Sequence, residues 1–143
     1  MALVYFDTSA LVKLLVLETG SPLAVALWER ADAVVTSRIA DVEVKSVLAA
    51  AERIGRIDAA PAAAARDRWK ELWPGLHKVE VTAALSEHAA DLADRRPLRA
   101  DDALHLASAL LLRDANPVVA AWDRRLSWAA RAEGLTVLPP ALA

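Results

Sequence analysis

The sequence predicts an α/β fold, a three-layer α/β/α sandwich with a central parallel sheet. Short apolar runs alternate along the chain with longer segments of helical periodicity. Strands separated by helices favour a parallel sheet with helices on both faces, joined by right-handed crossovers. In such folds the working cleft lies at the carboxyl ends of the strands, so side chains predicted there are candidates for chemistry.

The first half of the chain opens on an apolar run, and Thr8 and Ser9 after it offer hydroxyl caps to a helix. Ser37 can cap a later helix, which Gly55 ends, and an Ala-rich helix stops before Pro74. In order, the predicted elements are strand Ala2–Phe6, helix Ala10–Leu17, a helix to about Ala31, strand Ala33–Thr36, and helices Arg38–Arg53 and Asp58–Leu72.

In the second half, Pro97 separates two helices, Asn116 and Pro117 turn the chain into an apolar run, and Gly134 precedes the last strand. The predicted elements are strand Lys78–Thr82, helices Ala84–Asp94 and Arg99–Asp114, strand Val118–Trp122, helix Asp123–Glu133 and strand Leu135–Leu138. Because no linker or repeat divides the sequence, residues 1–143 are expected to form a single domain.

Composition narrows the function classes. The chain is 56% hydrophobic and 25% charged, which excludes disordered and collagen-like classes. It has no apolar run of membrane-spanning length and no signal-peptide pattern, so a cytoplasmic location without a membrane partner is expected. Zero cysteines and three histidines leave oxygen as the ligand for any metal. The net charge of -2 gives no global attraction to nucleic acid.

Acidic residues stand at four positions where neither packing nor capping alone requires them: Asp7, Glu43, Asp102 and Asp123. Asp7 and Asp123 each follow an apolar strand and precede a helix, where aspartate also commonly caps. Glu43 and Asp102 have apolar residues one turn away on both sides, which predicts that they lie on inward helical stripes. Glu43 could instead lie at the stripe's edge and pair with Lys45 or Arg38.

On a parallel sheet these acids would converge at one end. Ionised carboxylates within a few ångströms repel strongly unless a cation neutralises them. Ligation by oxygen alone suits Mg²⁺ or Mn²⁺. Magnesium keeps several waters, one of which can act as a nucleophile while the ion stabilises charge on a phosphoryl oxygen. The sequence therefore predicts a divalent-metal site.

Four stretches, in order, resemble the motifs of the PIN-domain ribonucleases, in particular the VapC-type toxins of toxin–antitoxin pairs. The stretches are Asp7–Leu14, Ser37–Glu43 with Leu48 beyond it, Leu98–Ala107 and Asp123–Leu126. The run Asp102–Ala107 is the most specific of them. The resemblance implies that the four acids are catalytic metal ligands, with Thr8 or Ser9 in supporting roles. It also implies a three-layer PIN-like fold over nearly the whole chain.

The implied activity is Mg²⁺- or Mn²⁺-dependent hydrolysis of an RNA phosphodiester, leaving a 5′-phosphate and a 3′-hydroxyl. The resemblance also implies a homodimer and a cognate antitoxin that inserts a segment near the active site. The early helices, including the surfaces of Trp28, Trp69 and Trp73, are the expected contact regions. Local cations would have to attract the RNA, and Arg99 or Arg124 is the predicted phosphate contact. The other candidates are Lys13, Arg38 and Arg125.

Neighbouring residues are weaker candidates. Asp101 is either an auxiliary ligand, an RNA contact or, as the preferred interpretation, a first-turn acid favoured by the helix dipole. His105 is a candidate general base, but a role in orienting a carboxylate or within the core is preferred. Trp69 and Trp73 are interpreted as core or interface residues, and Trp122 as a buried strand residue.

Two alternatives compete with a nuclease. A haloacid-dehalogenase-like phosphatase would need a second acid two residues after Asp7, where Ser9 stands. An inactive PIN-like domain could act only as a protein-binding or dimerisation module. Ala121 favours this second alternative, because the family commonly has Ser or Thr at that position, whereas the four acids oppose it.

Overall fold

Five parallel strands run through the centre of the protein, whose computed structural model describes residues 2–142. Their order across the sheet is β3-β2-β1-β4-β5. The strands are β1 (Leu3–Phe6), β2 (Ala33–Ser37), β3 (His77–Val79), β4 (Val118–Ala120) and β5 (Thr136–Leu138). The predicted central parallel sheet is confirmed.

Helices cover both faces of this sheet. They are α1 (Thr8–Leu15), α2 (Ser21–Arg30), α3 (Ala40–Arg53), α4 (Ala59–Leu72), α5 (Ala83–Arg95), α6 (Ala100–Leu110) and α7 (Arg124–Ala132). Successive strand side chains point to opposite faces. Val4 and Phe6 of β1 therefore pack with α1 to α4, whereas Leu3 and Tyr5 pack with α5 to α7. The predicted three-layer sandwich is confirmed.

Side-chain caps explain two differences from the predicted elements. Strand β3 is His77–Val79 and not Lys78–Thr82, because Thr82 caps α5 by accepting a hydrogen bond from the backbone of Leu85 at 3.1 Å. Helix α1 begins at Thr8 and not at Ala10, because Asp7 rather than a hydroxyl residue caps it.

Two further helices are shorter than predicted. Helix α3 begins at Ala40, since Ser37 belongs to β2 and its hydroxyl accepts a bond from Ile39 at 3.2 Å. Helix α6 ends at Leu110, and the chain then turns to a left-handed Asn116 with φ 51°. No helix within residues 2–142 is long and apolar enough to cross a membrane.

The direction in which successive strands are added to the sheet reverses at its centre. Strands β1 and β4 are neighbours, yet β1 leads into α1 on one face and β4 leads into α7 on the other. The backbone N–H of Asp7 donates to the carbonyl of Ala120 at 3.2 Å, which holds the two strand ends together. Such a reversal opens a crevice at the carboxyl ends of the strands.

Leu106 tests how far the core stabilises this arrangement. Its side chain is fully buried between α6 and the sheet, whereas Leu111 just beyond the helix is 62% exposed. We expect Leu106→Ala to lower the free energy of unfolding by about 2–5 kcal/mol through lost burial and the cavity left behind. Leu111→Ala should change it by less than about 0.5 kcal/mol. Urea denaturation measures both, and equal losses would contradict the assigned packing.

Candidate acidic active site

A cavity of about 450 Å³ lies at the carboxyl ends of β1 and β4. It brings together residues from four separate parts of the chain, including every acid that the sequence singled out. The residues that line it include Asp7, Thr8, Ser9, Lys13, Glu43, Arg99, Asp101, Asp102, His105, Trp122 and Asp123.

Asp7 both caps α1 and lines the cavity. Its side chain is 3% exposed, and its Oδ1 accepts bonds from the Ser9 hydroxyl at 2.6 Å and from the backbone of Ala10 at 2.9 Å. The Ser9 oxygen in turn accepts the backbone N–H of Trp122 at 2.8 Å. Ser9 therefore ties the Asp7 carboxylate to the chain that leaves β4.

Glu43 does not lie on the inward stripe of α3, and that prediction was wrong. The buried residues of this helix are Ala40, Val44 and Leu48, while Val47 is 42% exposed. Glu43 lies at the edge of that stripe with its side chain 20% exposed. Among the described residues its partners are not Lys45 and Arg38, which pair with Asp41 and Glu80.

Thr8 and His105 hold the Glu43 carboxylate. The Thr8 hydroxyl donates to its Oε1 at 2.8 Å, and His105 Nε2 lies 2.7 Å from the same oxygen. The other ring nitrogen, Nδ1, lies 2.8 Å from the hydroxyl of Tyr5. A proton on Nε2 satisfies all these contacts, because the ring then donates to Glu43 and accepts from Tyr5. His105, 3% exposed, thus orients a carboxylate.

The remaining acids come from α6 and from the start of α7. Asp102 is 6% exposed, and its Oδ2 accepts the backbone N–H of Arg99 at 3.3 Å. Asp123 caps α7 through Oδ1, which accepts the backbone N–H of Leu126 at 2.8 Å. Asp101 pairs with the Arg99 guanidinium at 3.4 Å and also interacts with Glu43. Asp101 therefore faces the same cavity, although it is a first-turn acid as well.

Burial and mutual repulsion make two of these carboxylates, Asp7 and Asp102, costly to ionise. The pKa of Asp7 is raised to about 6, because burial and the Asp123 charge outweigh the lowering by His105 and by the hydrogen bonds to the carboxylate. Burial and then Asp123 also raise the pKa of Asp102. Burial would raise the pKa of Glu43 too, but the bonds from His105 and Thr8 outweigh it and the pKa is lowered. The cavity concentrates negative charge that a cation would relieve.

The donor set fits a hard divalent cation. The described hydrogen bonds of the four predicted ligands fall on one oxygen of each: Asp7 Oδ1, Glu43 Oε1, Asp102 Oδ2 and Asp123 Oδ1. Among residues 2–142, no three acidic or histidine side chains are arranged as a ready-made metal cage. Such a cage is not required, because Mg²⁺ keeps several waters and usually takes only one or two carboxylates directly.

Comparison with known proteins identifies the family of this fold. The family model of the PIN domain matches residues 4–132. The chain belongs to the PIN-domain family, and within it to the VapC type. It is 49% identical over 142 residues to ribonuclease VapC49 of Mycobacterium tuberculosis strain H37Rv, covering 99% of both chains.

Solved structures share the fold of this PIN domain. The crystal structure of Mycobacterium tuberculosis VapC20, described as a toxin that cleaves the sarcin–ricin loop, matches with a TM-score of 0.64 at 24% identity. The match covers 93% of this chain and 96% of VapC20. A toxin–antitoxin complex from Klebsiella pneumoniae matches with a TM-score of 0.66 at 20% identity, over 100% of both chains.

The predicted cations divide into two groups in the PIN domain. Lys13 and Arg99 line the acidic cavity. Arg124 lines a neighbouring cavity, while Arg38 pairs with Glu80 and lies over the ring of Trp73. Arg38 follows the carboxyl end of β2, but it is not among the described residues that line the acidic cavity.

The tryptophans also separate by role. Trp69 is 1% exposed and donates through Nε1 to Asp41 at 2.9 Å. It therefore belongs to the core, one of the two interpretations given for it, and offers no surface to a protein partner. Trp28 packs edge-on against Phe6. Trp122 was predicted to be a buried strand residue, but β4 ends at Ala120 and the indole lines the acidic cavity. Its position directly before Asp123 was the signal in the sequence.

Ala121 lies outside the cavity wall. It is fully buried, packs among the apolar side chains under α5 to α7, and is not one of the residues that line the acidic cavity. A hydroxyl nearby comes instead from Ser127, which donates to the Ala121 carbonyl at 3.2 Å. The hydroxyl that bonds to a carboxylate of the site next to β4 comes from Ser9, which donates to Asp7.

Neutralising Asp7 should stabilise the metal-free protein. A raised pKa means that protonated Asp7 favours the folded state. The stabilisation of the folded state by protonated Asp7 is fully present below the unfolded-state pKa of about 4, and it is lost as pH rises through the folded-state pKa of about 6. We therefore expect Asp7→Asn, in buffer with EDTA near pH 7.5, to raise the free energy of unfolding by up to about 3 kcal/mol.

Urea denaturation at several pH values checks this expectation. The gain should vanish near pH 4, where both proteins carry a neutral side chain at this position. Asp91→Asn on the exposed surface of α5 is the matched control and should leave stability unchanged at each pH. A loss of stability in Asp7→Asn near pH 7.5 would contradict the assigned electrostatics.

Proposed function

We propose that this protein is a Mg²⁺- or Mn²⁺-dependent endoribonuclease, the toxin of a toxin–antitoxin pair that acts in the cytoplasm. The observation that carries the proposal is the convergence of Asp7, Glu43, Asp101, Asp102 and Asp123 on one cavity at the carboxyl ends of the central strands. Full-length similarity to ribonuclease VapC49 supports RNA as the substrate.

Asp7, Glu43, Asp102 and Asp123 are the proposed catalytic metal ligands, with Asp101 as an auxiliary acid. A bound ion would lower the pKa of a water and neutralise charge on a phosphoryl oxygen during hydrolysis. Thr8 and His105 hold one oxygen of Glu43, and Ser9 holds one oxygen of Asp7, so the carboxylates are oriented before any ligand arrives.

Lys13 and Arg99 supply the local positive charge that the net charge of -2 does not. Arg99 is 68% exposed at the start of α6 and pairs with Asp101, whereas the Lys13 side chain is 12% exposed and pairs with Glu18. Arginine and lysine contacts to phosphate position a strand without reading its sequence. We therefore assign Arg99, and not Arg38, to the approaching RNA backbone.

An antitoxin segment is the proposed protein partner, supported by the likeness to a solved toxin–antitoxin complex. An apolar groove of about 300 Å³, lined among others by Val16, Leu17 and Leu48, shares Val12, Glu18 and Val47 with the acidic cavity. A segment bound along this groove would reach the acids and block RNA. A homodimer, which the family resemblance implies, is part of the same proposal.

A binding-only module is less well supported. Asp7 is 3% exposed with a raised pKa, which costs stability that an apolar residue or asparagine would recover. A module that only binds another protein does not require this destabilising carboxylate. Ala121, the one feature that favours such a module, does not line the cavity.

RNA cleavage tests the proposed reaction. Wild type and Asp7→Asn are induced in cells without antitoxin, and 5′-monophosphate RNA ends are mapped by sequencing. We expect new ends only with wild type and with the surface control Asp91→Asn, because Asp7 is required for hydrolysis. New ends common to wild type and Asp7→Asn, or none in either, would refute the assignment.

Metal binding tests the cofactor separately. We expect Mg²⁺ or Mn²⁺ at about 100 times its dissociation constant to raise the free energy of unfolding by about 2.7 kcal/mol, seen as a higher melting temperature. Asp7→Asn combined with Asp102→Asn should abolish the shift, because two ligands are lost. The matched double variant Asp91→Asn with Asp94→Asn, on the exposed face of α5, should keep it. If neither ion changed the melting temperature of the wild type, this result would contradict the metal site.

A further inference from the structure

A second cavity adjoins the acidic one, and Trp122 and Lys13 line both. It encloses about 520 Å³, within the range of roughly 300–1,000 Å³ typical of small-ligand pockets. Leu23 and Pro139 contribute apolar surface, and Arg124 joins Lys13 as a second cation. None of the described residues that line it is acidic. The two adjoining cavities therefore differ sharply in charge.

The indole of Trp122 is held firmly between these cavities. The Lys13 ammonium lies 5.3 Å from its ring centroid, a cation–π distance. On another side, Gly20 approaches so closely that a Cβ there would lie 2.6 Å from the indole Nε1. Gly20 also has φ +96°, which favours glycine. The turn between α1 and α2 is thus fitted to this ring.

We propose that the second cavity binds one nucleotide of the RNA strand beside the cleaved bond, with the base against Trp122 and the adjoining phosphate near Lys13 and Arg124. The proposal rests on the proposed endoribonuclease function and adds a residue that positions the substrate, with a modest base preference that comes from stacking strength. Sites for single-stranded RNA combine an aromatic platform with a cationic path for the backbone. A strand with one phosphate among the acids reaches this cavity directly, because the two share a wall.

Cleavage of a randomised RNA pool tests the subsite. Wild type, Trp122→Ala and the control Trp128→Ala digest the pool with Mg²⁺ or Mn²⁺, and sequencing of both ends gives the base preference at each position beside the cut. Trp128 is 58% exposed on α7 and lines neither cavity. We expect Trp122→Ala to lose the preference at one flanking position and to raise KM for a chosen substrate roughly 5- to 150-fold. Trp128→Ala should match wild type in both.

Leu23→Glu is the second variant, since Leu23 lines only the second cavity and a carboxylate there would repel phosphate. It should weaken RNA binding and reduce the same base preference while Trp122 stays in place. Melting curves establish whether each variant is folded. If Trp122→Ala is unfolded, the base preference and KM of Leu23→Glu decide the question. An unchanged preference and KM in the folded variant would overturn the subsite alone. Absence of cleavage by wild type would overturn the proposed function, and the subsite with it.

Discussion

Asp7 and Asp123 follow adjacent parallel strands, and this strand pairing brings their carboxylates to one cavity. Burial and the Asp123 charge together raise the pKa of Asp7 and of Asp102, which means that the fold holds these groups against their electrostatic preference. Local hydrogen bonds offset part of the free-energy cost of holding these carboxylates. Asp7 and Asp123 each cap the helix that follows, and each therefore gains a backbone donor at the place where its charge is needed.

Glu43 and His105 connect layers that the sheet otherwise keeps apart. Glu43 belongs to α3 on one face, and His105 belongs to α6 on the other. Their 2.7 Å contact crosses the carboxyl edge of the sheet, and Tyr5 of β1 fixes the far side of the ring at 2.8 Å. The imidazole therefore links the α3 acid to the helix that carries Asp101 and Asp102. A histidine can orient a carboxylate of a site through a hydrogen bond in this way.

The sequence predicted the fold class and nearly every element, because apolar periodicity and strong turn residues mark them locally. Element ends were less predictable where a side chain had two uses, as at Thr82, which caps α5 and so ends β3 early. The convergence of Asp7 and Asp123 followed from their places after two strands of a parallel sheet. The exact position of Glu43 could not be predicted, because periodicity shows only which face of α3 a residue lies on. The partners that hold Glu43 lie 35 and 62 residues away in the sequence. The role of Trp122 was missed because β4 ends two residues before it.

Ala121 illustrates how a substitution can be judged only in three dimensions. In sequence it removes a hydroxyl from a position two residues before a proposed ligand, which suggested a damaged site. In the fold its side chain is fully buried among apolar groups, and the hydroxyls that hold carboxylates come from Thr8 and Ser9 at the start of α1. Because a buried hydroxyl without a partner costs stability, alanine suits that apolar position. The departure from the family pattern therefore affects the core beneath the cavity and leaves the support of the carboxylates intact.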